Sequence, residues 1–161
     1  VLYNKALELA RIKNNETVVD AYCGIGTIAL FFAHQAKQVI GVEVIAEAVE
    51  DAKHNAVLNG ITNTEFIPGK VEIILPRMLD KEFKPNVVIL DPPRQGCAKE
   101  VLEAIALANI PRVVYVSCDP ATMARDLSIL SGYNYQTLKV QPVDMFPWTG
   151  HVECVVRIER R

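Results

Sequence analysis

Hydrophobic residues along this 161-residue chain occur in short continuous runs that alternate with amphipathic segments. Such runs are typical of strands in a parallel sheet that helices cover on both faces, because both sides of each strand are then buried. They predict strands near 17–21, 38–43, 64–67, 86–91 and 112–117. The intervening segments predict helices near 1–13, 26–36, 46–59, 70–79, 97–108 and 120–131. Pro76 should end or kink the fourth of these helices.

The pattern changes after residue 131. Two strand-like segments, 135–143 and 152–158, follow one another with only a loop between them. Strands joined in this way pair antiparallel. We therefore expect a single α/β domain over residues 1–161, with a mostly parallel seven-stranded sheet, helices on both faces and a C-terminal antiparallel hairpin. This layout resembles the Rossmann-like class I methyltransferases, whereas dinucleotide dehydrogenases usually end differently.

Composition narrows the class of protein. Half of the residues are hydrophobic and 22% are charged, which fits a globular domain with a sizeable core. No apolar run approaches the ~18 residues that span a bilayer, and the chain does not open like a secretory signal, so we expect a cytoplasmic protein. The four cysteines are scattered without a C-x-x-C pair, which predicts neither a disulfide framework nor a metal site.

The net charge and the N-terminal residues of the chain indicate how it could bind RNA. The net charge of −2 argues against a domain that grips a polyanion unaided, because nucleic-acid affinity depends largely on clustered Lys and Arg. The chain lacks an initiator Met and begins inside an amphipathic pattern. We therefore expect a fragment of a longer protein, and any RNA substrate should require another domain.

A glycine-rich turn follows the first predicted strand and opens a helix. In the segment 20–29, Gly24 and Gly26 permit a tight turn and close backbone approach, and Ala29 allows the helix to pack near the strand. A G-x-G-x-x-A pattern alone is equally compatible with an ordinary strand-to-helix turn. The candidate cofactor-binding residues here are Asp20, Tyr22, Gly24, Gly26 and Thr27.

Acidic residues near this turn favour a particular cofactor. Glu43 ends the second strand, where its carboxylate can accept hydrogen bonds from both ribose hydroxyls, although a solvated strand end is the alternative. Asp20 precedes Gly24 by four residues, a spacing that in methyltransferases directs the carboxylate to the methionine end of the cofactor. Beyond the third strand, Lys70 cannot accept a hydrogen bond from an adenine amino group. Glu72 or the backbone must do so, unless Glu72 is an ordinary first-turn residue.

Three further segments carry a family resemblance. They are DPPRQG at 91–96, SCDPATMARD at 117–126 and FPWTGHVE at 146–153. In this order they resemble the S-adenosylmethionine-dependent RNA uracil-C5 (5-methyluridine) methyltransferases. Together with 20–26, the resemblance covers nearly the whole chain as the catalytic domain of that family, without its N-terminal RNA-binding domain. It implies S-adenosylmethionine as cofactor and tRNA or rRNA as partner.

The chemistry of uracil explains the residue types. Uracil C5 is a poor nucleophile, but addition of a thiolate to C6 produces an enolate whose C5 is electron-rich. The resemblance assigns this thiolate to Cys118 and the base that removes the C5 proton to Glu153, whose pKa partial burial could raise. Asp119 and Pro120 should cap a helix whose N-terminus stabilises the thiolate, although many relatives have Asn at Asp119. A buried packing role is the alternative for Cys118.

Recognition of the base is expected at the fourth strand. Asp91, a candidate for both catalysis and cofactor binding, should face the ring N–H edge, and Arg94 an oxygen or phosphate. Related adenine-N6 methyltransferases carry an aromatic residue where this chain has Arg94, which favours uracil. His151 could orient Glu153 or the base. The other cysteines are assigned to packing; they are Cys23, Cys97 and Cys154.

Two other functions remain open at this stage. One is methylation of an amino nitrogen at the Asp-Pro-Pro segment, with Cys118 incidental to the reaction. The other is a nicotinamide-dependent oxidoreductase, or a nucleotide-cofactor-binding domain without activity.

Overall fold

The computed structural model describes residues 1–80, 83–145, 147–150 and 152–161. The strands are β1 (Thr17–Ala21), β2 (Gln38–Glu43), β3 (Thr64–Pro68), β4 (Val87–Leu90), β5 (Arg112–Ser117), β6 (Tyr135–Val143) and β7 (Glu153–Arg160). The helices are α1 (Leu2–Ala10), α2 (Thr27–Ala33), α3 (Ala46–Leu58), α4 (Val71–Asp80), α5 (Lys99–Leu107) and α6 (Pro120–Ser131). Every predicted element is therefore confirmed, with bounds that differ by a few residues.

All seven of these strands form one sheet, in the order β3-β2-β1-β4-β5-β7-β6. The first five strands pair in parallel, whereas β7 lies antiparallel to both β5 and β6. The parallel sheet and its C-terminal antiparallel hairpin match the expected α/β class. The return of β7 beside β5 brings the N-terminal end of β7 to the carboxyl edge of the parallel strands.

The sheet is buried on both faces. Alternate residues of β4 belong to different apolar clusters, with Val87 and Ile89 on one face and Val88 and Leu90 on the other. Helices α1, α2 and α3 pack against the first face, and α4, α5 and α6 against the second. Because successive side chains of a strand point in opposite directions, a continuous apolar run is what this two-sided burial requires. No helix in the described ranges is long and apolar enough to cross a membrane.

Pro76 lies inside its helix, so of the two expectations for this proline the helix end is wrong, and the kink stays a prediction. Helix α4 continues to Asp80. A proline inside a helix removes one backbone N–H donor and disturbs the turn before it. Here Val71, Leu75 and Leu79 recur on one buried face, and their burial holds the helix together across the proline.

Helix α1 is tied to the sheet by a buried ion pair. The Arg112 guanidinium donates to Glu16 Oε1 at 3.1 Å and to the Ala10 carbonyl at 2.6 Å. Ala10 is the last residue of α1, and Arg112 is the first residue of β5. These bonds fix the end of α1 against the sheet, and they thereby fix the position of the residues at its start.

Gly41 in β2 has no room for a side chain. A Cβ placed there would lie 2.6 Å from Phe66 Cδ1 and 2.7 Å from Cys23 Sγ. We expect Gly41→Ala to lower the free energy of unfolding by about 1–3 kcal/mol, because overpacking forces neighbours out of position. Urea denaturation measures this change. Gly150→Ala is the matched control, since nothing lies within 4 Å of its Cβ position; equal losses in the two variants would contradict the prediction.

Candidate active site

The carboxyl edge of the sheet collects most of the predicted functional residues. Strands β1, β2, β4 and β5 all end there, and β7 begins there. Ligands of open α/β sheets bind in the crevice at this edge. The structure therefore brings together the strand-end candidates, which are Asp20, Glu43, Asp91, Cys118 and Glu153.

The turn after β1 has an unusual backbone. Tyr22, Gly24 and Gly26 have φ angles of 72°, 52° and 85°, in the left-handed region that favours glycine. A Cβ on Gly26 would meet Ala52 Cβ at 3.0 Å, whereas nothing lies within 4 Å of the Cβ position of Gly24. Gly26 is thus required for packing, and Gly24 leaves its backbone open to a ligand. Thr27 is exposed at the start of α2 beside them.

Glu43 is buried and supports the same turn. Its Oε2 accepts a hydrogen bond from the Gly24 N–H at 3.0 Å, and its Oε1 accepts one from the Ile45 N–H at 2.9 Å. The alternative of a solvated strand end is therefore wrong. A carboxylate oxygen has more than one acceptor site, so both oxygens can still accept hydroxyl donors from a ribose.

Asp20 carries the strongest sign of a missing partner. Its side chain is fully buried, and neither carboxylate oxygen has a hydrogen-bond partner among the described residues. Burial, together with the charge of Asp91, holds the pKa of Asp20 well above its usual range, while the nearby Ala29 N–H acts on this pKa in the opposite direction without meeting the geometry of a hydrogen bond. Buried polar groups are normally paired, because an unpaired one costs free energy. A cationic ligand group at this position would pair the carboxylate and restore its charged form.

Further acids lie across the cleft. Burial and the charge of Glu153 raise the pKa of Asp91 to about 6. Burial also raises the pKa of Glu153, while the nearby Arg94 guanidinium acts in the opposite direction. These residues therefore form an acidic cleft in which proton-accepting groups titrate closer to neutral pH than free carboxylates do.

Tyr3 is a cleft residue that sequence reasoning missed. Its pKa is raised by burial and then by the charges of Asp91, Asp20 and Glu153, so this side chain of α1 faces the same acids. It is 37% exposed and packs beside Phe31. No motif surrounds Tyr3, and only the packing of α1 against the sheet reveals its position.

Cys118 and Glu153 both adjoin the last residue pair of β5 and β7. That pair is Ser117 with Cys154; Cys118 follows Ser117 at the end of β5, and Glu153 precedes Cys154 at the start of β7. Cys118 is half-buried, so the alternative of a buried packing cysteine does not hold for it. The other three cysteines, Cys23, Cys97 and Cys154, are buried as predicted.

The helix that follows Cys118 is capped as expected. Asp119 Oδ1 accepts hydrogen bonds from the Thr122 and Ala121 N–H groups at 3.0 and 2.9 Å, and these bonds lower the pKa of Asp119. The charge of Arg94 acts in the same direction. The Asp119 carboxylate therefore already occupies these two N–H donors at the start of α6.

A buried carboxylate fastens the segment after β4 to α6. Asp126 is fully buried, and its Oδ2 accepts hydrogen bonds from the Tyr115 hydroxyl at 2.6 Å and from the Cys97 N–H at 2.8 Å. Its Oδ1 accepts from the Arg125 guanidinium at 2.7 Å. A Cβ on Gly96 would approach Asp126 Oδ2 to 2.7 Å. The absence of a side chain at Gly96 is therefore what allows this close packing.

Two further bonds extend this attachment toward Arg94. The Thr122 hydroxyl donates to the Arg94 carbonyl at 3.0 Å, and Arg125 Nη2 donates to the Gln95 carbonyl at 2.9 Å. The segment that carries Arg94 is thus fixed to the first turns of the helix that follows Cys118. The candidate base-recognition residue and the candidate nucleophile accordingly belong to one hydrogen-bonded unit.

Some candidates lie apart or are not described. Glu72 lies in the first turn of α4, and its proposed contact with adenine stays a prediction. His151, and Phe146 of the same motif, lie outside the described residues. In the part of the chain that the structure describes, no group of three or more His, Cys, Asp or Glu side chains could hold a metal ion.

The raised pKa of Asp91 predicts a pH-dependent stability. A folded-state pKa of about 6 favours the neutral carboxyl, so this stabilisation is present below the unfolded-state pKa near 4 and is lost as the pH rises through 6. We compare the free energy of unfolding of Asp91→Asn with that of the wild type. This difference should favour the variant by about 1–2 kcal/mol more at pH 8 than at pH 4. Urea denaturation at both pH values measures the gain. Asp51→Asn, exposed on α3, should show none; an equal offset for Asp91→Asn at both pH values would refute the prediction.

Comparison with known families matches the whole of this architecture. The family model of tRNA (uracil-5-)-methyltransferases matches residues 2–161. The chain is 57% identical over 159 residues to an uncharacterized RNA methyltransferase of Clostridium acetobutylicum. It is 54% identical over 160 residues to one of Bacillus cereus. Each alignment covers 99% of this chain but 35% of the relative, so the chain spans about a third of the length of these proteins.

Solved structures agree with this assignment. The tRNA (uracil-54, C5)-methyltransferase of Pyrococcus abyssi in complex with S-adenosyl-L-homocysteine superposes with a TM-score of 0.82 at 29% identity, covering 96% of this chain and 37% of that one. A precorrin-6y C5,15-methyltransferase of Geobacter metallireducens superposes with a TM-score of 0.80 at 12% identity, covering 99% of this chain and 87% of that one, and shares the class I methyltransferase fold. By its family match and its relatives, the chain belongs to the tRNA (uracil-5-)-methyltransferase family.

Proposed function

We propose that this domain transfers a methyl group from S-adenosylmethionine to C5 of a uridine in tRNA or rRNA. The observation that carries the proposal is the placement of Cys118 and Glu153 next to the last residue pair of β5 and β7, at the same sheet edge as the Asp20 carboxylate, which has no hydrogen-bond partner among the described residues. The family match supports RNA as substrate and uracil C5 as the acceptor. It also argues against the nicotinamide-dependent alternative.

The cofactor is S-adenosylmethionine, and the turn after β1 fits it. The unpaired Asp20 carboxylate suits the cationic methionine end, and the buried Glu43 carboxylate suits the ribose hydroxyls. Gly24 leaves backbone open between these two positions. Tyr22 packs against the core on the α4 and α5 face, and Thr27 is exposed at the start of α2; a contact of either with the cofactor stays a prediction. When bound, S-adenosylmethionine supplies a methyl group attached to a positively charged sulfur, which makes that methyl electrophilic.

The uracil ring is proposed to lie between Asp91, Arg94, Cys118 and Glu153. Asp91 can accept a hydrogen bond from the ring N–H when charged or donate to a ring oxygen when protonated, and its pKa of about 6 allows both forms. The Arg94 guanidinium can donate to a ring oxygen or a phosphate. The hydrogen bonds from Thr122 and Arg125 hold the Arg94 segment in place for this role.

Each side chain then has a defined step. The Cys118 thiolate forms a bond to C6, and the C5–C6 π electrons move to the O4 carbonyl to give an enolate. C5 attacks the methyl group, whose bond to sulfur breaks with both electrons remaining on that sulfur. Glu153 removes the proton from C5, the C5–C6 double bond re-forms, and the thiolate leaves. The raised pKa of Glu153 makes it a better proton acceptor than an exposed carboxylate.

The whole protein is proposed to provide further contacts to RNA. The chain has a net charge of −2 and spans about 35% of its relatives' length. Because phosphate binding depends on basic residues, we propose that residues 1–161 form the catalytic domain of a longer cytoplasmic protein with a separate RNA-binding domain. The reaction should therefore be tested with the full-length protein.

A covalent adduct tests the role of Cys118. RNA that contains 5-fluorouridine cannot lose fluorine as a proton, so elimination is blocked after methylation. We expect a denaturation-resistant protein–RNA adduct in the presence of S-adenosylmethionine, and at least a 100-fold loss of adduct in Cys118→Ala, because the carbon–sulfur bond cannot form. Denaturing gel electrophoresis measures the adduct.

Cys154→Ala is the matched control for this experiment. Its sulfur is buried on the neighbouring strand, next to Glu153 in the chain, and the adduct should persist. Methylation that survives in Cys118→Ala would select the alternative of transfer to an amino nitrogen. Absence of any adduct with the full-length protein would overturn the proposed mechanism.

Removal of the base should trap the reaction at a later step. In Glu153→Gln the amide cannot accept the C5 proton, so an adduct with ordinary uridine should accumulate and multiple turnover should fall by at least 100-fold. Single-turnover transfer of labelled methyl from S-adenosylmethionine, followed on a denaturing gel, checks this outcome. Glu159→Gln, at the far end of β7, is the control and should turn over normally. Normal turnover by Glu153→Gln would assign the base elsewhere.

A further inference from the structure

Trp148 is the single tryptophan of the chain, and nothing in the described structure covers it. Its side chain is 103% exposed relative to a fully accessible reference. Its φ angle of 70° lies in the left-handed region, which is costly for a bulky residue. Because both the exposure of a large aromatic ring and the left-handed backbone are unfavourable, we infer that Trp148 binds a ligand.

The position of Trp148 links it to the proposed reaction. It lies in the connection between β6 and β7, whose flanking residues Val143 and Glu153 are paired with each other. The connection therefore leaves and re-enters the sheet beside Glu153, at the edge where Cys118 lies. RNA whose target base lies at this edge, as proposed, would come close to the loop.

The surroundings of Trp148 favour a transient partner over a permanent protein cover. Met145, Pro147 and Gly150 of the same loop are also exposed. A permanent interface normally buries an aromatic residue among other apolar groups, whereas here Met145 is the one other large apolar side chain exposed among the described loop residues.

We propose that Trp148 stacks on an unpaired nucleobase that flanks the target uridine in the RNA substrate. The inference rests on the proposed function and names a contact for its substrate. A target base that is turned into a pocket leaves its neighbours unstacked, and aromatic side chains bind such bases through their faces. Stacking does not require positive charge, so it suits a domain with a net charge of −2.

The fluorescence of Trp148 provides a direct test. A short oligouridylate should quench the emission of the 161-residue chain, because stacking brings a base onto the indole face. Long-chain polyphosphate, which carries the charge but no bases, should leave the emission unchanged. In the full-length protein, subtracting the emission spectrum of Trp148→Phe from that of the wild type gives the emission of Trp148. This emission should be characteristic of a water-exposed indole without RNA, and RNA should quench it.

Affinity measurements with matched variants complete the test. In the full-length protein we expect Trp148→Ala to weaken binding of the oligouridylate by about tenfold, and Trp148→Phe to restore most of the affinity, because phenylalanine retains a stacking face. Leu107→Ala, an exposed apolar residue at the end of α5 on the opposite edge of the sheet, is the control and should bind normally. Binding of S-adenosylhomocysteine should be unchanged in all variants.

Several results would overturn the inference. An affinity of Trp148→Ala within twofold of the wild type would do so, as would emission that is unaffected by bound oligouridylate. Emission of Trp148 in the full-length protein that is already characteristic of a buried indole before RNA is added would show that protein covers it. Formation of the Cys118 adduct by Trp148→Ala at saturating RNA separates these failures from a failure of the proposed function.

Discussion

The insertion of β7 between β5 and β6 is the constraint on which the candidate site depends. Five parallel strands alone would place Asp20, Asp91 and Cys118 at one edge, because parallel strands end on the same side. They would place no residue of an antiparallel strand next to Cys118. The antiparallel return of β7 starts at this edge and places Glu153 there. The C-terminal hairpin therefore completes the candidate site as well as the sheet.

The carboxyl edge of the sheet is also acidic. Asp20, Asp91 and Glu153 raise one another's pKa values or have them raised by burial, and Asp20 has no described partner for either oxygen. The folded chain maintains this arrangement at a cost in stability above pH 6. A cationic cofactor turns the same charges into favourable interactions. The acidity of the cleft and the proposed pairing of Asp20 with a cationic ligand group thus have one physical origin.

Buried hydrogen bonds hold the segment that carries Arg94 in place; the residues that line the cleft do not. Asp126 joins Tyr115 of β5 to the backbone at Cys97, and Thr122 and Arg125 hold the carbonyls at residues 94 and 95. A fully buried, fully paired carboxylate is rigid, because any movement would leave it unpaired. Trp148, for which a contact with RNA is proposed, is by contrast exposed.

The amino-acid sequence alone determined the element order, the α/β class and the strand ends where chemistry collects, because two-sided burial imposes continuous apolar runs and glycines mark the turn at residues 24 and 26. Local pattern predicted a helix over 70–79 but left open whether Pro76 ends or kinks it, since the burial of Leu75 and Leu79 that carries α4 past the proline depends on packing against α5. Nor could it show that Tyr3 faces the acids or that Asp126 fastens residue 97, because these contacts join distant parts of the chain. Tertiary structure decided such long-range contacts, together with the burial that sets the pKa of Asp20, because both depend on how the helices pack on the sheet.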